Sequence, residues 1–197
     1  MTQPSATGRD ALLARAIEHF AQHGVGDTSL RALAEAIGTS HRMLIYHFGS
    51  RDGLLAAVVD TVEEGARDTL DRMVEEARAD PDPLEAGLRY WHLVTDEALV
   101  YGPLFFELSS HAMLGLPHAV ELRERLVSTW LETLESMWTA RGVAKLAARE
   151  QARLDLAVSR GLLHDLLLTG DRRAVDRVMQ RYAADAVARL LGPPPVG

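Results

Sequence analysis

Apolar residues recur at helical spacing along almost the whole chain, and no stretch alternates apolar and polar as a half-buried strand would. Leu13, Ile17, Phe20 and Gly24 place one stripe on a first helix, roughly residues 10–23. Gly24-Val25-Gly26-Asp27 stops it. Thr28 then caps a second helix over 29–37, with Leu30, Leu33 and Ile37 inward. Gly38 ends that helix, as glycine does where the backbone turns left-handed. Thr39 or Ser40 caps a third, running to Phe48. Ser50 caps a long fourth helix, striped by Leu55, Val58, Val59, Val62, Ala66, Leu70, Met73 and Ala77. It lasts until Asp80-Pro81-Asp82-Pro83, a strong loop signal. A fifth helix is expected to break at Gly102-Pro103, and a short sixth spans about 104–112. The seventh covers about 118–141, the eighth 147–168, and the ninth follows the Thr169-Gly170-Asp171 turn. The expectation is an all-α chain of about nine helices, divided into residues 1–51, 52–191 and a mobile tail over 192–197.

The 197 residues, 47% hydrophobic and 25% charged, suffice for a core and fit a globular chain. With no cysteine, disulfides, thiolate metal sites and cysteine nucleophiles are excluded. No apolar run approaches bilayer length and the start lacks the pattern of a secretory signal, so the expected compartment is the cytoplasm. The net charge of −7 argues against bulk nucleic-acid binding, but its distribution is uneven. Residues 1–51 carry five arginines against four acids, so the acidity lies in the remainder. Lys145 is the sole lysine, and guanidinium groups suit bidentate contacts to phosphate and guanine.

The second and third helices are short and joined by Gly38-Thr39-Ser40, which is a helix-turn-helix arrangement. Leu44 and Phe48 lie one turn apart and face inward; His41, Arg42, Met43, Tyr46 and His47 then project outward or stand at the rim. A helix fits the major groove of B-DNA, and its first-turn side chains reach base edges.

The run from Asp27 to Ser40, followed by Tyr46-His47-Phe48-Gly49-Ser50-Arg51-Asp52-Gly53-Leu54-Leu55, resembles the DNA-binding domain of the tetracycline-repressor (TetR/AcrR) family over roughly residues 9–60. The resemblance implies dimeric, ligand-responsive transcription regulators, usually repressors. It also implies three helices on DNA, a linking fourth, and a dimeric four-helix bundle from the last two. On the family pattern Arg31 falls near a base or phosphate, and His41, Arg42 and Met43 at variable reading positions. Arg51 falls where a basic residue at the start of the fourth helix holds a phosphate. Thr28, Ser29, Thr39, Ser40, Tyr46 and His47 complete the DNA-binding set. Ile45 stands where the family has tyrosine, with Tyr46 displaced by one, and Arg42 replaces a small residue. The implied partners are a near-palindromic duplex operator, a second copy of the chain and an unknown small molecule. Neither a membrane nor a cofactor is implied.

Two further sets carry the expected body functions. An effector pocket is placed among Trp91, Thr95, Tyr101 and Phe105, with Phe106, His111, Trp130 and Leu134, because aromatic residues line many small-molecule cavities. A dimer interface is placed on Leu154, Val158, Gly161 and Leu162 of the eighth helix. Val175, Val178, Met179, Tyr182, Ala186 and Val187 supply the ninth. Arg9 and Arg15 are read as a solvated face. Two alternatives stay open. One is a helical-bundle metal-binding enzyme, for which Glu107 and His111 at i, i+4 are the only hint and a polar core pair the plainer reading. The other is a protein-interaction module without DNA binding. No phosphate-cradling, dinucleotide or zinc-protease motif occurs, so no enzymatic reaction is expected.

Overall fold

Helix starts and stops follow the caps that the chain writes for itself. The computed structural model describes residues 8–79 and 82–192. In chain order it contains α1 (Gly8–His23), α2 (Leu30–Ala36), α3 (His41–Phe48), α4 (Arg51–Ala79) and α5 (Pro83–Met113). A 3-10 turn (Pro117–Ala119) precedes α6 (Val120–Ala140), α7 (Lys145–Thr169) and α8 (Arg172–Leu191). No strand occurs among the described residues, so the all-α class is correct. Ser50 caps α4, its Oγ accepting from the Gly53 amide at 3.0 Å. Asp82 caps α5, accepting from the Leu84 amide at 2.8 Å, with Pro83 in the first helical position where its missing N–H costs nothing. The rest of the Asp80–Pro83 loop signal, residues 80 and 81, and the expected tail from 193 onward lie outside the described residues, as do residues 1–7.

The described chain has eight α-helices where about nine were expected, because Gly102-Pro103 does not break α5. Proline removes one helical hydrogen bond, leaving the Leu99 carbonyl without its partner. Leu99 and its neighbours Val100 and Tyr101 are exposed, so water can satisfy that group. The missing side chain at Gly102 serves packing: a Cβ there would lie 2.7 Å from Leu167 Cδ1. The dipeptide therefore marks a close helix contact.

The packing divides the described residues into two units. One comprises the described residues up to Gly65 together with Pro103–Glu124; the other comprises Ala66–Gly102 and everything from Arg125 onward. Residues 52–65 and 103–124 thus group with the first fifty, a division other than a single cut after residue 51. In the first unit, α1 buries Leu12, Leu13, Ala16, Ile17 and Phe20, and α2 buries Leu30, Leu33 and Ala34. Leu54, Leu55, Val58 and Leu104, Leu108, Ala112 are buried in the same unit. In the second unit Trp91, Leu166, Val175 and Met179 form a core cluster against which Leu88, Val158, Leu162, Leu163 and Tyr182 pack.

Hydrogen-bonded side chains fix the second unit in register. The Asp155 carboxylate accepts from Trp138 Nε1 (2.7 Å), Gln151 Nε2 (2.7 Å) and Tyr182 Oη (2.8 Å), joining α6, α7 and α8. Burial and the neighbouring Asp155 carboxylate push the Tyr182 phenol above its ordinary range. Asp176 accepts from Trp91 Nε1 at 2.7 Å, and Arg172 donates to Thr95 Oγ1 and pairs with Asp96. No helix among the described residues is long and apolar enough to cross a membrane.

Candidate nucleic-acid interface

The α2–turn–α3 unit is held by local hydrogen bonds that its sequence dictates. Ser29, and not the expected Thr28, caps α2: its Oγ accepts from the Ala32 amide at 3.2 Å, and its backbone is extended, as an N-cap requires. Ser40, rather than Thr39, caps α3 in the same way, accepting from the Met43 amide at 3.2 Å. Between them Gly38 has φ +66°, which a side chain would strain. The Thr39 and Gly38 amides donate back to the Ala34 and Glu35 carbonyls at 2.8 and 3.2 Å, closing α2 with a Schellman turn. Ala34 is buried, so nothing larger than a methyl group stands at that position.

With the turn fixed, α3 has one orientation. Leu44 and Phe48 are buried. At about 100° per residue, Tyr46 points most directly away from that pair, flanked by Arg42 and Met43. Exposure agrees: Tyr46 is 78% exposed, against 41% for Met43 and 39% for Ile45. His41 and Arg42 are exposed, and His47 is half-buried with its ring edge-on to Tyr46 at 4.9 Å. The outer face is therefore Arg42, Met43 and Tyr46, with His41 and Ile45 on one flank and His47 on the other. Arg31 is exposed on α2, Ser29 and Ser40 are exposed caps, and Thr28 and Thr39 are half-buried.

Three arginines do other work than sequence position suggested. Arg51 Nε donates to the Thr28 carbonyl at 2.9 Å and Nη2 to the Gly26 carbonyl. Its guanidinium staples the α1–α2 turn to the start of α4, so a phosphate would meet a half-buried group with two donors already committed. Arg15, read as solvated, donates from Nη1 to the Ile37 carbonyl at 2.9 Å. Arg9 lies over the Phe48 ring, its guanidinium carbon 5.2 Å from the centroid.

The same turn is held from a second direction. Glu107 accepts from the Val25 amide at 2.7 Å and the Gly26 amide at 2.9 Å. Glu107 and His111 are therefore not a mutual polar pair; His111 Nδ1 instead lies 3.0 Å from His118 Nε2. Sequence reasoning missed the duty of Glu107 because a helical glutamate carries no mark of a partner eighty residues away.

The eight expected pocket residues separate. Phe105, Phe106 and His111 belong to the first unit; Trp91, Thr95, Tyr101, Trp130 and Leu134 belong to the second. Trp91 is core, its N–H on Asp176, and Thr95 is fully buried with its hydroxyl donating to the His92 carbonyl at 2.8 Å and accepting from Arg172. Both take part in holding the fold. Phe105 and Phe106 meet edge-to-face at 5.5 Å, Tyr101 is exposed, and Trp130 and Leu134 are half-buried. Tyr90 was not singled out, yet its hydroxyl is the buried side-chain polar atom without a hydrogen-bond partner among the described residues. Burial, and secondarily Glu97, push its phenol upward.

The expected interface residues also divide. Val175, Met179 and Ala186 are buried by the chain itself. Val158, Leu162, Tyr182 and Val187 are half-buried, while Leu154, Gly161 and Val178 are exposed. Leu168, 73% exposed, extends the α7 row at seven-residue spacing from Leu154 and Gly161.

Residues 12–58 match the family model described as bacterial regulatory proteins, tetR family. A 67-residue segment, 34% of this chain, is 43% identical to the HTH-type transcriptional regulatory protein RaaS of Mycobacterium tuberculosis and covers 31% of that protein. A 58-residue segment, 29% of this chain, is 41% identical to the HTH-type transcriptional repressor ComR of Escherichia coli and covers 28% of it. The chain thus matches about a third of the length of these relatives. In backbone, it is similar to a crystal structure of a transcriptional regulator from Rhodococcus sp. Rha1, with TM-score 0.79 at 20% identity, over 96% of this chain and 100% of the other. That likeness is one of fold.

Proposed function

The chain belongs to the tetR family of bacterial regulatory proteins through its residues 12–58, and from that premise we propose that it is a cytoplasmic transcription regulator that grips operator DNA as a homodimer, one α3 in each of two major-groove half-sites. The observation that carries the reading is the outer face of α3. Arg42, Met43 and Tyr46 stand on the side opposite the buried Leu44 and Phe48, on a helix whose start and orientation are fixed by Ser40 and the Gly38 turn. In this reading Arg42 donates two hydrogen bonds to guanine and Met43 contacts a thymine methyl. Phosphate contacts from exposed groups such as Arg31 supply affinity without sequence choice.

Two copies related by a two-fold axis read half-sites about one helical turn apart, ~34 Å. The exposed row Leu154, Gly161 and Leu168 on α7, with Val178 on α8, is the surface proposed to meet the second copy. Repression is the proposed output, in line with the family and with a relative named as a repressor. An effector would act by binding one spacing of the two heads better than another. The buried Tyr90 hydroxyl is a suitable anchor for a polar atom of that effector.

An electrophoretic shift on the DNA flanking the protein's own gene tests the reading. Binding that saturates and weakens steeply as salt rises is expected. Failure of every flanking fragment to shift at low salt overturns it.

A further inference from the structure

The end of α5 and the 3-10 turn hold the helix-turn-helix unit by side chains that neither the family match nor the reading face accounts for. His118, on the 3-10 turn, has a side chain only 4% exposed. Its Nε2 lies 3.0 Å from His111 Nδ1 on α5, with the rings perpendicular and their centroids 5.0 Å apart. Its Nδ1 faces Asp52 Oδ1 at 3.7 Å in the first turn of α4. The neighbouring Arg51 carries the contact onward to the carbonyls of Gly26 and Thr28. Glu107, one turn before His111, holds the amides of Val25 and Gly26. All of these residues belong to the first unit. Among the described residues these side chains do not form a group able to hold a metal.

Two imidazole nitrogens at hydrogen-bond distance need one N–H and one lone pair between them. Neutral His118 meets this with its proton on Nδ1, toward Asp52, and its Nε2 lone pair accepting from His111 Nδ1–H. A proton added at His111 Nε2 leaves that bond intact. With His111 already doubly protonated and without a lone pair, a further proton at His118 sets N–H against N–H and removes the bond. Burial opposes that charge most, and His111 and Arg51 oppose it too. Asp52 favours it, but its carboxylate is 61% exposed and screened by water. The balance holds His118 below the ordinary histidine range.

We propose that the His111–His118 pair is a proton-operated fastening of the reading head, which holds the start of α4 while His118 is neutral and releases it when His118 takes a proton beside an already protonated His111. The sign follows from linkage. The unfolded chain takes this proton near the ordinary value of 6.5 and the folded chain does so only at lower pH. The fastening is therefore at full strength above that value and is lost as pH falls below it. Its effect on DNA rests on the function proposed above; the fastening itself does not.

Amide hydrogen exchange on the full chain tests it. The Gly53 and Leu54 amides, which donate to Ser50, report the first turn of α4. Between about pH 7.5 and about pH 5.5, corrected for intrinsic exchange, their protection is expected to fall roughly threefold or more. His118→Gln keeps a donor and an acceptor but takes up no proton, so its protection is expected to stay level. His111→Gln serves should that variant not fold, because its amide can turn either an N–H or a carbonyl oxygen to His118 and so keeps the bond whether or not His118 is protonated. His19, lowered by burial and by His23, remains in both variants as an internal control. Unchanged protection in the wild type, or an equal fall in the variants, overturns the proposal. DNA binding across the same pH range forms a second arm, in which the wild type weakens and the variant does not. A wild type that binds no DNA at any pH sinks the regulator reading, and the exchange arm still decides the fastening.

Discussion

The two units use polar side chains differently. In the helix-turn-helix unit, the His111–His118 pair aside, they bond mostly to backbone. Ser29, Ser40 and Ser50 cap helices, Arg15 and Arg51 take carbonyls, and Glu107 takes two amides. In the other unit they also bond extensively to one another, around Asp155 and around Asp176 with Arg172. The physical reason is helix length. α2 and α3 have seven and eight residues, and every helix leaves four amides and four carbonyls unpaired at its ends, so most of their backbone groups need an outside partner. α7 has 25 residues and satisfies itself internally, so its side chains are free to set register between helices. A short-helix head is thus built by fixing turns, and a long-helix body by fixing contacts between faces.

The contrast can be broken most sharply at Asp155. Asp155→Ala strands the donors of Trp138, Gln151 and Tyr182 together, and urea unfolding should show a loss of about 2–4 kcal/mol, with Tyr182→Phe costing about 1. A small effect from Asp155→Ala would show that the body does not depend on its network. On the head, Arg42→Ala is expected to relax the base preference at one position by roughly 1–3 kcal/mol while leaving thermal stability unchanged. Competition binding against operator variants reads the first and calorimetry the second. Glu107→Ala removes two amide contacts and should cost about 1–2 kcal/mol, with Val25 and Gly26 exchanging faster and Glu107→Gln recovering less than the whole. Equal exchange in wild type and Glu107→Ala would separate α5 from the turn.

Alkaline titration gives the smallest effect. The folded Tyr182 phenol is raised above the ordinary 10.0, so its contribution to stability is complete below that pH and is lost as pH rises past it. Near-ultraviolet absorbance should show part of the tyrosine signal withheld until the fold opens, and Tyr182→Phe and Tyr90→Phe should each remove a share of the withheld part. Tyr90→Phe also deletes a buried hydroxyl without a partner, and a gain of about 1 kcal/mol is expected.

Much of the head was legible from residues alone. The Gly38 turn, the cap at Ser40 and the inward pair Leu44 and Phe48 are set by neighbours within five positions, where residue type and spacing carry the geometry. The body was less so. Val175 and Val178 are the same residue type on one helix, yet one is core and the other 52% exposed. Gly102-Pro103 has the composition of a break and lies inside a helix, because a leucine on α7 needs the space.

The sequence by itself determined the helical class, the helix-turn-helix and the outward face of α3, since capping, periodicity and left-handed turns act over a few residues. Only the tertiary structure decided that Arg51 and Arg15 hold backbone carbonyls, that Glu107 grips a turn eighty residues away, and that His118 lies between His111 and Asp52. A guanidinium, carboxylate or imidazole can serve solvent, phosphate or backbone equally well, and the choice depends on which partner folding brings within about 3 Å.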